Sequence, residues 1–326
     1  MSSYLQRLNN FNNIDNNYNQ NDNNNYNQND YNNQYNYNNP ETYNNLNNYQ
    51  NLNNNYEFQN NYTQNYQTNN ENPNINDNCI FNHYGIINIG KVAKINEDYL
   101  NGVYLLNNKV LCMGIADGMG SVLGGQISSV IAIDEILNYL NLFLKNDDID
   151  SMKYALKMGI YMVNRIICNY SFLNPELYNS FFSTLTIALI NTKKEMVIGH
   201  IGNTRLYILR NNEMVLLTRD DTEGRDLVDN NEITESMYKK HPRRNILTKY
   251  LGLNDMEPFI ENYQLETNDF IILMTNGVFD LMSEEEIRDL IFEKQNSQEF
   301  CEGIIDTCNE LGGIDNIGIM ISFIDF

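Results

Sequence analysis

The chain has 326 residues, with 42 acidic against 21 basic side chains and a formal net charge of −21. Such a negative field repels phosphate backbones and no basic stripe offsets it, so the composition excludes nucleic-acid binding. No stretch approaches the ~20 consecutive apolar residues of a transmembrane helix, and we expect no membrane partner.

Residues 1–78 differ sharply from the rest of the chain. Nearly half of them are asparagine, and tyrosine and glutamine fill much of the remainder. Such a segment cannot bury enough apolar surface to offset the entropy of ordering it, so we predict a disordered tail followed by one domain over 79–326. Alternating polar and aromatic residues are also typical of self-associating segments. The sequence leaves open whether the tail is a scaffold or has no selected role.

The five cysteines are odd in number and lack the spacing of zinc ligands. Scattered thiols of this kind are typical of buried core residues in a reducing compartment. We therefore predict a cytoplasmic protein.

The first half of the domain predicts three strands, two helices and four more strands. Strands are expected at 84–88, 98–106 and 110–116, with a turn at Asn107-Asn108. After Gly125, apolar residues recur every three or four positions, which predicts a long helix, and a second helix fits 150–170. Strand-like segments follow at 184–191, 195–201, 204–210 and 213–218, the last two joined by a turn at Asn211-Asn212.

The second half begins with a polar, helix-prone segment at 222–247. Strands are predicted at 258–264 and 269–275, helices at 283–293 and 297–311, and a last strand at 316–325. Strands in meanders with helices in pairs between them favour an α+β fold. We predict two stacked antiparallel sheets flanked by helix pairs, an α-β-β-α sandwich.

Acidic or amide side chains lie at the ends of several predicted strands. They occur in four stretches: INEDYL (95–100), GIADGMGSVLGG (114–125), TNGVFD (275–280) and GGIDNIG (312–318). If the two sheets stack, these strand ends can meet at one edge of the sandwich. Oxygen ligands of this type bind hard cations such as Mg²⁺ and Mn²⁺.

The order of the motifs resembles the type 2C (PPM-type) metal-dependent serine/threonine protein phosphatases, particularly their bacterial branch. The similarity covers 82–325 and rests on these segments: GKVAKINED (90–98), GIADGMG (114–120), FFSTLTIALI (181–190), IGHIGNTRLYIL (198–209), HPRRNILTKYLG (241–252), DFIILMTNGVFDLMSEEEI (269–287) and GGIDNIGIMI (312–321). It implies two Mg²⁺ or Mn²⁺ ions and a water that attacks phosphoserine or phosphothreonine directly.

Site residues follow from this resemblance, position by position. Asp117 matches the carboxylate that bridges both metals, and Gly118 offers its backbone carbonyl. Glu97 and Asp98 match an acidic catalytic pair, with Glu97 acting on a metal directly or through water. Asp315 matches the last metal carboxylate.

Three positions depart from the family pattern. Asn276 replaces a metal-binding aspartate, and Asn203 replaces the acid associated with an accessory third metal. Ala93 stands where an arginine normally holds the substrate phosphate. Lys91 or Lys94 could bind phosphate instead, although along a strand only one of them would face the site.

These departures leave two functions open. One is a weakened metal-dependent phosphatase acting on phosphoproteins, with a serine/threonine kinase as its counterpart. The other is a catalytically impaired relative that keeps the fold to bind a phosphoprotein or a kinase.

Several polar residues are expected to be structural. Ser183 and Thr184 are predicted to pack against the metal loop, and His200 to be a hydrogen-bonded core residue. Ser283 is expected to cap a helix. Arg243 and Arg244 could either guide a phosphopeptide or pair with the acidic surface, and we favour the second interpretation.

Overall fold

The computed structural model describes residues 64–65, 82–120, 124–174 and 180–325. Apart from Gln64 and Asn65, the predicted tail at 1–78 lies outside these residues, as does its boundary with the domain at residue 79.

The described strands follow the predicted order closely. In chain order they are β1 (Gln64–Asn65), β2 (Asn82–Asn88), β3 (Asp98–Leu105), β4 (Val110–Gly120), β5 (Phe181–Ser183), β6 (Leu185–Asn191), β7 (Glu195–Ile201), β8 (Arg205–Arg210), β9 (Glu213–Leu216), β10 (Phe259–Gln264), β11 (Phe270–Met274) and β12 (Ile317–Phe323). The helices are α1 (Gly124–Phe143), α2 (Ile149–Leu173), α3 (Glu223–Asp229), α4 (Glu235–Tyr238), α5 (Asn276–Phe279), α6 (Glu284–Glu293) and α7 (Ser297–Glu310).

The strands form two antiparallel sheets. The first has the order β1-β2-β12-β11-β8-β9, and the second the order β10-β7-β6-β4-β3, with β5 pairing the end of β4. Helix α1 packs on β4 and α2 on β7, whereas α7 packs on β2 and β12. The predicted α+β sandwich of stacked antiparallel sheets with outer helices is therefore confirmed.

Alternation along β11 shows how one strand serves two cores. Ile271 and Leu273 join the apolar cluster between the two sheets. Ile272 and Met274 point to the opposite face and join the cluster that includes α6 and α7. Because side chains of a strand alternate between its faces, a continuous apolar stretch is what a strand buried on both sides requires.

Asparagine pairs make two of the tight turns. Asn107 and Asn108 have φ of 57° and 65°, and Asn211 and Asn212 have φ of 51° and 66°. Two consecutive positive φ values are typical of hairpin turns whose twist matches that of the strands, and asparagine tolerates this region better than most residues. Both predicted turns are present.

The structure differs from the sequence prediction in several places. Strands β1 and β5 were not predicted, and β1 lies in the segment 1–78 that was predicted to be disordered. The segment 222–247 contains only the short helices α3 and α4 and otherwise consists of turns. Helix α5 was not predicted, because its four residues are too few to produce a helical period.

Several structural predictions are confirmed. Ser283 and Glu286 form a reciprocal capping box at the start of α6. Cys112, Cys301 and Cys308 are buried free thiols, while Cys168 is half-buried. Cys79 lies outside the described residues.

Within the described ranges, no helix has the length and apolarity needed to cross a bilayer.

Candidate active site

Asp98 and Asp117 face each other across neighbouring strands. They are paired residues at the start of β3 and near the end of β4. Asp98 is only 3% exposed, and its Oδ2 accepts a hydrogen bond of 2.8 Å from the Thr275 hydroxyl at the end of β11. Burial and the adjacent Asp117 carboxylate raise the pKa of Asp98 well above its usual range. The hydrogen bond between Thr275 and Asp98 therefore brings residues from both sheets to one edge.

The backbone of Asp117 is fixed by Thr184, as expected for a residue packed against the metal loop. The Asp117 N–H donates to Thr184 Oγ1 at 2.8 Å, and the Thr184 N–H donates to the Asp117 carbonyl at 2.8 Å. The pKa of Asp117 rises to about 8, first because the carboxyl is buried and then because Asp315 and Glu97 repel its charge. An Asp with this pKa is costly to ionise without a neighbouring cation.

Glu97 and the Gly118 carbonyl border the same small space beside the first turn of α1. The Gly118 N–H donates to the Glu97 carbonyl at 3.0 Å. A methyl group added to Gly125 would lie 2.0 Å from Glu97 Oε1 and 2.8 Å from the Gly118 oxygen. Only glycine at position 125 leaves these two oxygens their present positions.

Asn316 ties the first acidic loop to the last strand. Its Oδ1 accepts the Glu97 N–H at 2.8 Å, and its Nδ2 donates to the carbonyls of Ile89 and Ile95 at 3.0 and 3.1 Å. The Asn316 N–H in turn donates to Asp315 Oδ1 at 2.8 Å. One buried amide thus sets the position of Glu97 relative to Asp315.

Asp315 lies beside the substituted position 276. Asn276 is the first residue of α5, and its Nδ2 is 3.4 Å from Asp315 Oδ2, at the long limit of a hydrogen bond. Burial raises the pKa of Asp315, Asp280 raises it further, and the Asn276 contact lowers it. An aspartate at 276 would instead add a further negative charge next to Asp315.

The four carboxylates Glu97, Asp98, Asp117 and Asp315 oppose one another electrostatically. Burial and mutual repulsion raise the pKa of Asp98, Asp117 and Glu97. Within the part of the chain that the structure describes, no three His, Cys, Asp or Glu side chains form a ready-made metal cage. Mg²⁺ is usually held by one or two carboxylates plus water and substrate oxygens, so a shared, partly open set of oxygens fits such an ion.

The two candidate phosphate-binding lysines require a correction. Lys91, Ala93 and Lys94 lie in a loop between β2 and β3, so the alternation argued for a strand does not apply. Both lysine side chains are exposed, and Ala93 is half-buried.

Asn203 is a buried residue that directly follows a turn packed on Thr184. It is 5% exposed and follows Gly202, which has a φ of +105°. A methyl group on Gly202 would lie 2.6 Å from Thr184 Cγ2, so this turn packs directly on the residue that holds Asp117.

A buried ionic network behind the site was not foreseen from the sequence. Arg205 makes two hydrogen bonds to Asp220, at 2.9 and 2.6 Å, and its guanidinium stacks 3.9 Å from the Phe279 ring of α5. Tyr238 donates to the same Asp220 at 2.6 Å. The one available signal was an arginine opening the apolar strand RLYIL, which requires a buried partner.

Arg244 connects the same segment to α5. Its Nη2 lies 2.8 Å from Asp280 Oδ2, an ion pair of partly buried groups, as predicted for pairing with the acidic surface. His200 is also structural: its Nε2 donates to the Arg219 carbonyl at 2.9 Å and its Nδ1 contacts the Thr186 hydroxyl at 2.8 Å.

A family model described as protein phosphatase 2C matches residues 91–310. Among curated proteins, the chain is 29% identical to the serine/threonine phosphatase stp of Listeria welshimeri, over 71% of this chain and 91% of the relative. It is 25% identical to the protein phosphatase PhpP of Streptococcus pneumoniae, over 72% of this chain and 94% of the relative.

Solved structures give the same fold. The serine/threonine phosphatase of S. agalactiae superposes with a TM-score of 0.69 at 23% identity, over 75% of this chain and all of that one. The catalytic domain of the phosphatase PstP, solved in complex with two manganese ions, gives 0.65 at 24% identity, over 76% and 99%. The fold and its acidic edge define a PPM-type phosphatase domain. This chain belongs to the protein phosphatase 2C family, and the relatives compared here are bacterial.

Proposed function

We propose that this protein hydrolyses phosphoserine and phosphothreonine in proteins with the help of Mg²⁺ or Mn²⁺. The observation that carries the proposal is the group of opposed carboxylates at the sandwich edge, with the pKa of Asp117 raised to about 8. Acidic groups that repel one another in a buried position are expected to bind a compensating cation.

The metal ligands in this proposal are Glu97, Asp117, the Gly118 carbonyl, Asn276 and Asp315. Asp117 is central because its pKa responds to both Glu97 and Asp315. Asp98 holds a position behind it, fixed by Thr275. Divalent ions bound there would lower the pKa of a water and neutralise charge on the phosphoryl group.

The remaining chemistry is positioning. Phosphoryl transfer needs aligned oxygens and charge neutralisation more than a protein nucleophile. Thr184, Thr275 and Asn316 fix the acidic residues through hydrogen bonds of 2.8 Å each. Lys91 and Lys94 would attract the phosphate from the exposed loop, but as point charges they lack the paired donors of an arginine.

Turnover of p-nitrophenyl phosphate and of a phosphothreonine peptide, with Mn²⁺ and with a chelator, tests this proposal. We expect metal-dependent turnover that falls at least about 100-fold in Asp117→Asn, a loss of roughly 3 kcal/mol of transition-state stabilisation. Turnover unaffected by this substitution would refute the assignment of Asp117.

A second candidate is a catalytically impaired module that binds phosphoproteins or a kinase. It is favoured by Asn276, which places an amide rather than a carboxylate 3.4 Å from Asp315. The double change Asn276→Asp with Ala93→Arg separates the two candidates. A large gain in turnover would indicate an impaired natural chain, and a natural chain already as active as the double variant would exclude impairment.

The first candidate function includes phosphoproteins as substrates. A serine/threonine kinase that phosphorylates the same proteins, and a cytoplasmic location, remain predictions from the sequence. For Asn203, we propose no more than weak participation in a third metal site, because an amide supplies one oxygen and no charge.

A further inference from the structure

Three exposed apolar side chains border the candidate active site. Val92, Leu311 and Ile314 have exposed fractions of 66%, 51% and 56%. Single exposed apolar residues are common, but groups of them on adjoining segments are typical of binding surfaces. These three lie on two loops, one before β3 and one before β12.

The two loops touch through their backbones. The N–H groups of Lys91 and Val92 both donate to the Gly313 carbonyl, at 2.7 and 3.3 Å. A methyl group added to Gly90 would lie 2.2 Å from the Asp315 carbonyl oxygen. Val92 is therefore part of this hydrogen-bonded contact, and Ile314 directly follows Gly313.

The same contact leads directly to the acidic residues. Ile314 immediately precedes Asp315, and Asn316 holds the loop of Val92 through the Ile89 and Ile95 carbonyls. The apolar side chains are thus carried by segments whose positions are fixed relative to Asp315 and Glu97. A ligand whose phosphate reaches the carboxylate edge would bring its neighbouring groups over these loops.

Charge identifies the kind of ligand. Lys91 and Lys94 are exposed on the same loop as Val92, in a chain whose net charge is −21. Two local cations beside apolar groups match a segment that combines a phosphate dianion with an apolar side chain. A phosphorylated peptide with an apolar residue next to the phosphoresidue has both.

We propose that Val92, Leu311 and Ile314 form an apolar patch that binds the residue flanking the phosphorylated serine or threonine, giving preference to substrates with a large apolar side chain there. The inference rests on the proposed phosphatase function and specifies its substrate class.

The test compares two phosphothreonine peptides of equal length and charge. One has leucine and the other serine on both sides of the phosphothreonine. For each enzyme variant, kcat/KM for each peptide is divided by kcat/KM for p-nitrophenyl phosphate, which has no flanking residue. This ratio removes any general change in the metal site.

The variant is Val92→Ser with Ile314→Ser, and the matched control is Leu142→Ser with Phe172→Ser. The control residues are similarly exposed, 54% each, but lie on α1 and α2. We expect the ratio for the leucine peptide to fall about tenfold in the variant, chiefly through KM, because contacts worth about two buried methylene groups are lost. The ratio for the serine peptide should change much less, and the control should retain the leucine preference.

Equal losses for both peptides, or no loss, would overturn the proposal. A variant that changes the sedimentation behaviour of the natural chain but not the peptide ratio would also overturn it, because the patch would then be a contact between copies. If the natural chain shows no turnover of any substrate, the phosphatase function fails while the patch stays testable. Fluorescence anisotropy with the two labelled peptides would then have to show the leucine preference in the natural chain and its loss in the variant.

Discussion

The two halves of the acidic edge are held in different ways. Asp98 is buried and Asp117 is half-buried, and two threonines fix them with hydrogen bonds of 2.8 Å. Asp315 and Asn276 are more open, and their side chains meet only at 3.4 Å. In the first half, the carboxylates of Asp98 and Asp117 repel each other. In the second half, the amide of Asn276 stands where the family pattern has a carboxylate. If the proposed function is right, we expect the first half to depend on a bound cation and the second half to limit how tightly a further cation is held.

The largest expected effect is on stability without metal. In chelator, Asp117→Asn should stabilise the fold by several kcal/mol near pH 8, because it removes a buried charge that its neighbours oppose. Thermal unfolding in EDTA measures this. The matched control is Asp134→Asn, a buried carboxyl on α1 whose pKa rises to about 6 through burial and without other carboxylates among its causes. A control gain as large as that of Asp117→Asn would mean that burial alone, rather than mutual repulsion, sets the cost.

The raised pKa of Asp117 also predicts how the stability of the metal-free protein depends on pH. A pKa raised on folding means that the folded state holds its proton more tightly, so the stabilisation is complete below the unfolded pKa of 3.8 and is lost as pH rises through about 8. The natural chain in EDTA should therefore lose stability between these values, and Asp117→Asn should lose less. A natural chain whose stability rises over this range would contradict the raised pKa.

The next effect concerns the open half. Asn276→Asp adds one carboxylate beside Asp315, which should tighten binding of one Mn²⁺ by roughly 1–4 kcal/mol and destabilise the metal-free fold. Titration calorimetry with Mn²⁺ measures the first change and melting in EDTA the second. The control variant is Asn245→Asp, which adds the same charge next to Asp280 rather than next to Asp315. If the Mn²⁺ affinity of Asn276→Asp is unchanged, the amide oxygen of Asn276 binds the ion as well as a carboxylate would.

A smaller effect is expected at the threonine supports. Thr184→Val removes the acceptor of the Asp117 N–H and leaves a buried donor unpaired, which costs about 1–3 kcal/mol. Thr184→Ser retains the hydroxyl and should recover most of the loss, although it also removes a methyl group. Denaturant unfolding compares the two variants. Equal losses in valine and serine would assign the effect to packing instead.

The smallest effect lies at the edge of the open half. Arg244→Ala breaks a partly buried ion pair with Asp280 and should cost about 1 kcal/mol. Arg243 lies 3.4 Å from Glu223 and is 59% exposed, so Arg243→Ala should have almost no effect. Thermal melting distinguishes them, and identical behaviour would argue against a tether between residue 244 and α5.

The order of the strands and the positions of the long helices were largely predictable, because the apolar pattern repeats without interruption over long segments. β7 was predicted with its observed bounds, and the asparagine turns were read from chemistry that tolerates positive φ. Helix α5 escaped prediction since four residues contain little more than one turn. It matters because its first residue is Asn276, which directly follows the strand predicted at 269–275.

The acidic residues were identifiable from strand ends and from the family resemblance, but their supports were only partly so. Thr184 was expected near the metal loop, whereas the bonds of Thr275 to Asp98 and of Asn316 to two carbonyls span 177 to 227 positions. Local sequence carries no information on contacts at such separations. The strand alternation argued for Lys91 and Lys94 was also wrong, because both residues lie in the loop between β2 and β3.

The place of β12 has a consequence for synthesis of the chain. This strand separates β2 from β11, so the first strand of the domain reaches the rest of its sheet only through the last one. Asn316, directly before β12, also holds the loop that carries Glu97. During synthesis, β3, β4, β6 and β7 can therefore pair before β12 is made, whereas the acidic edge is complete only once β12 has joined its sheet.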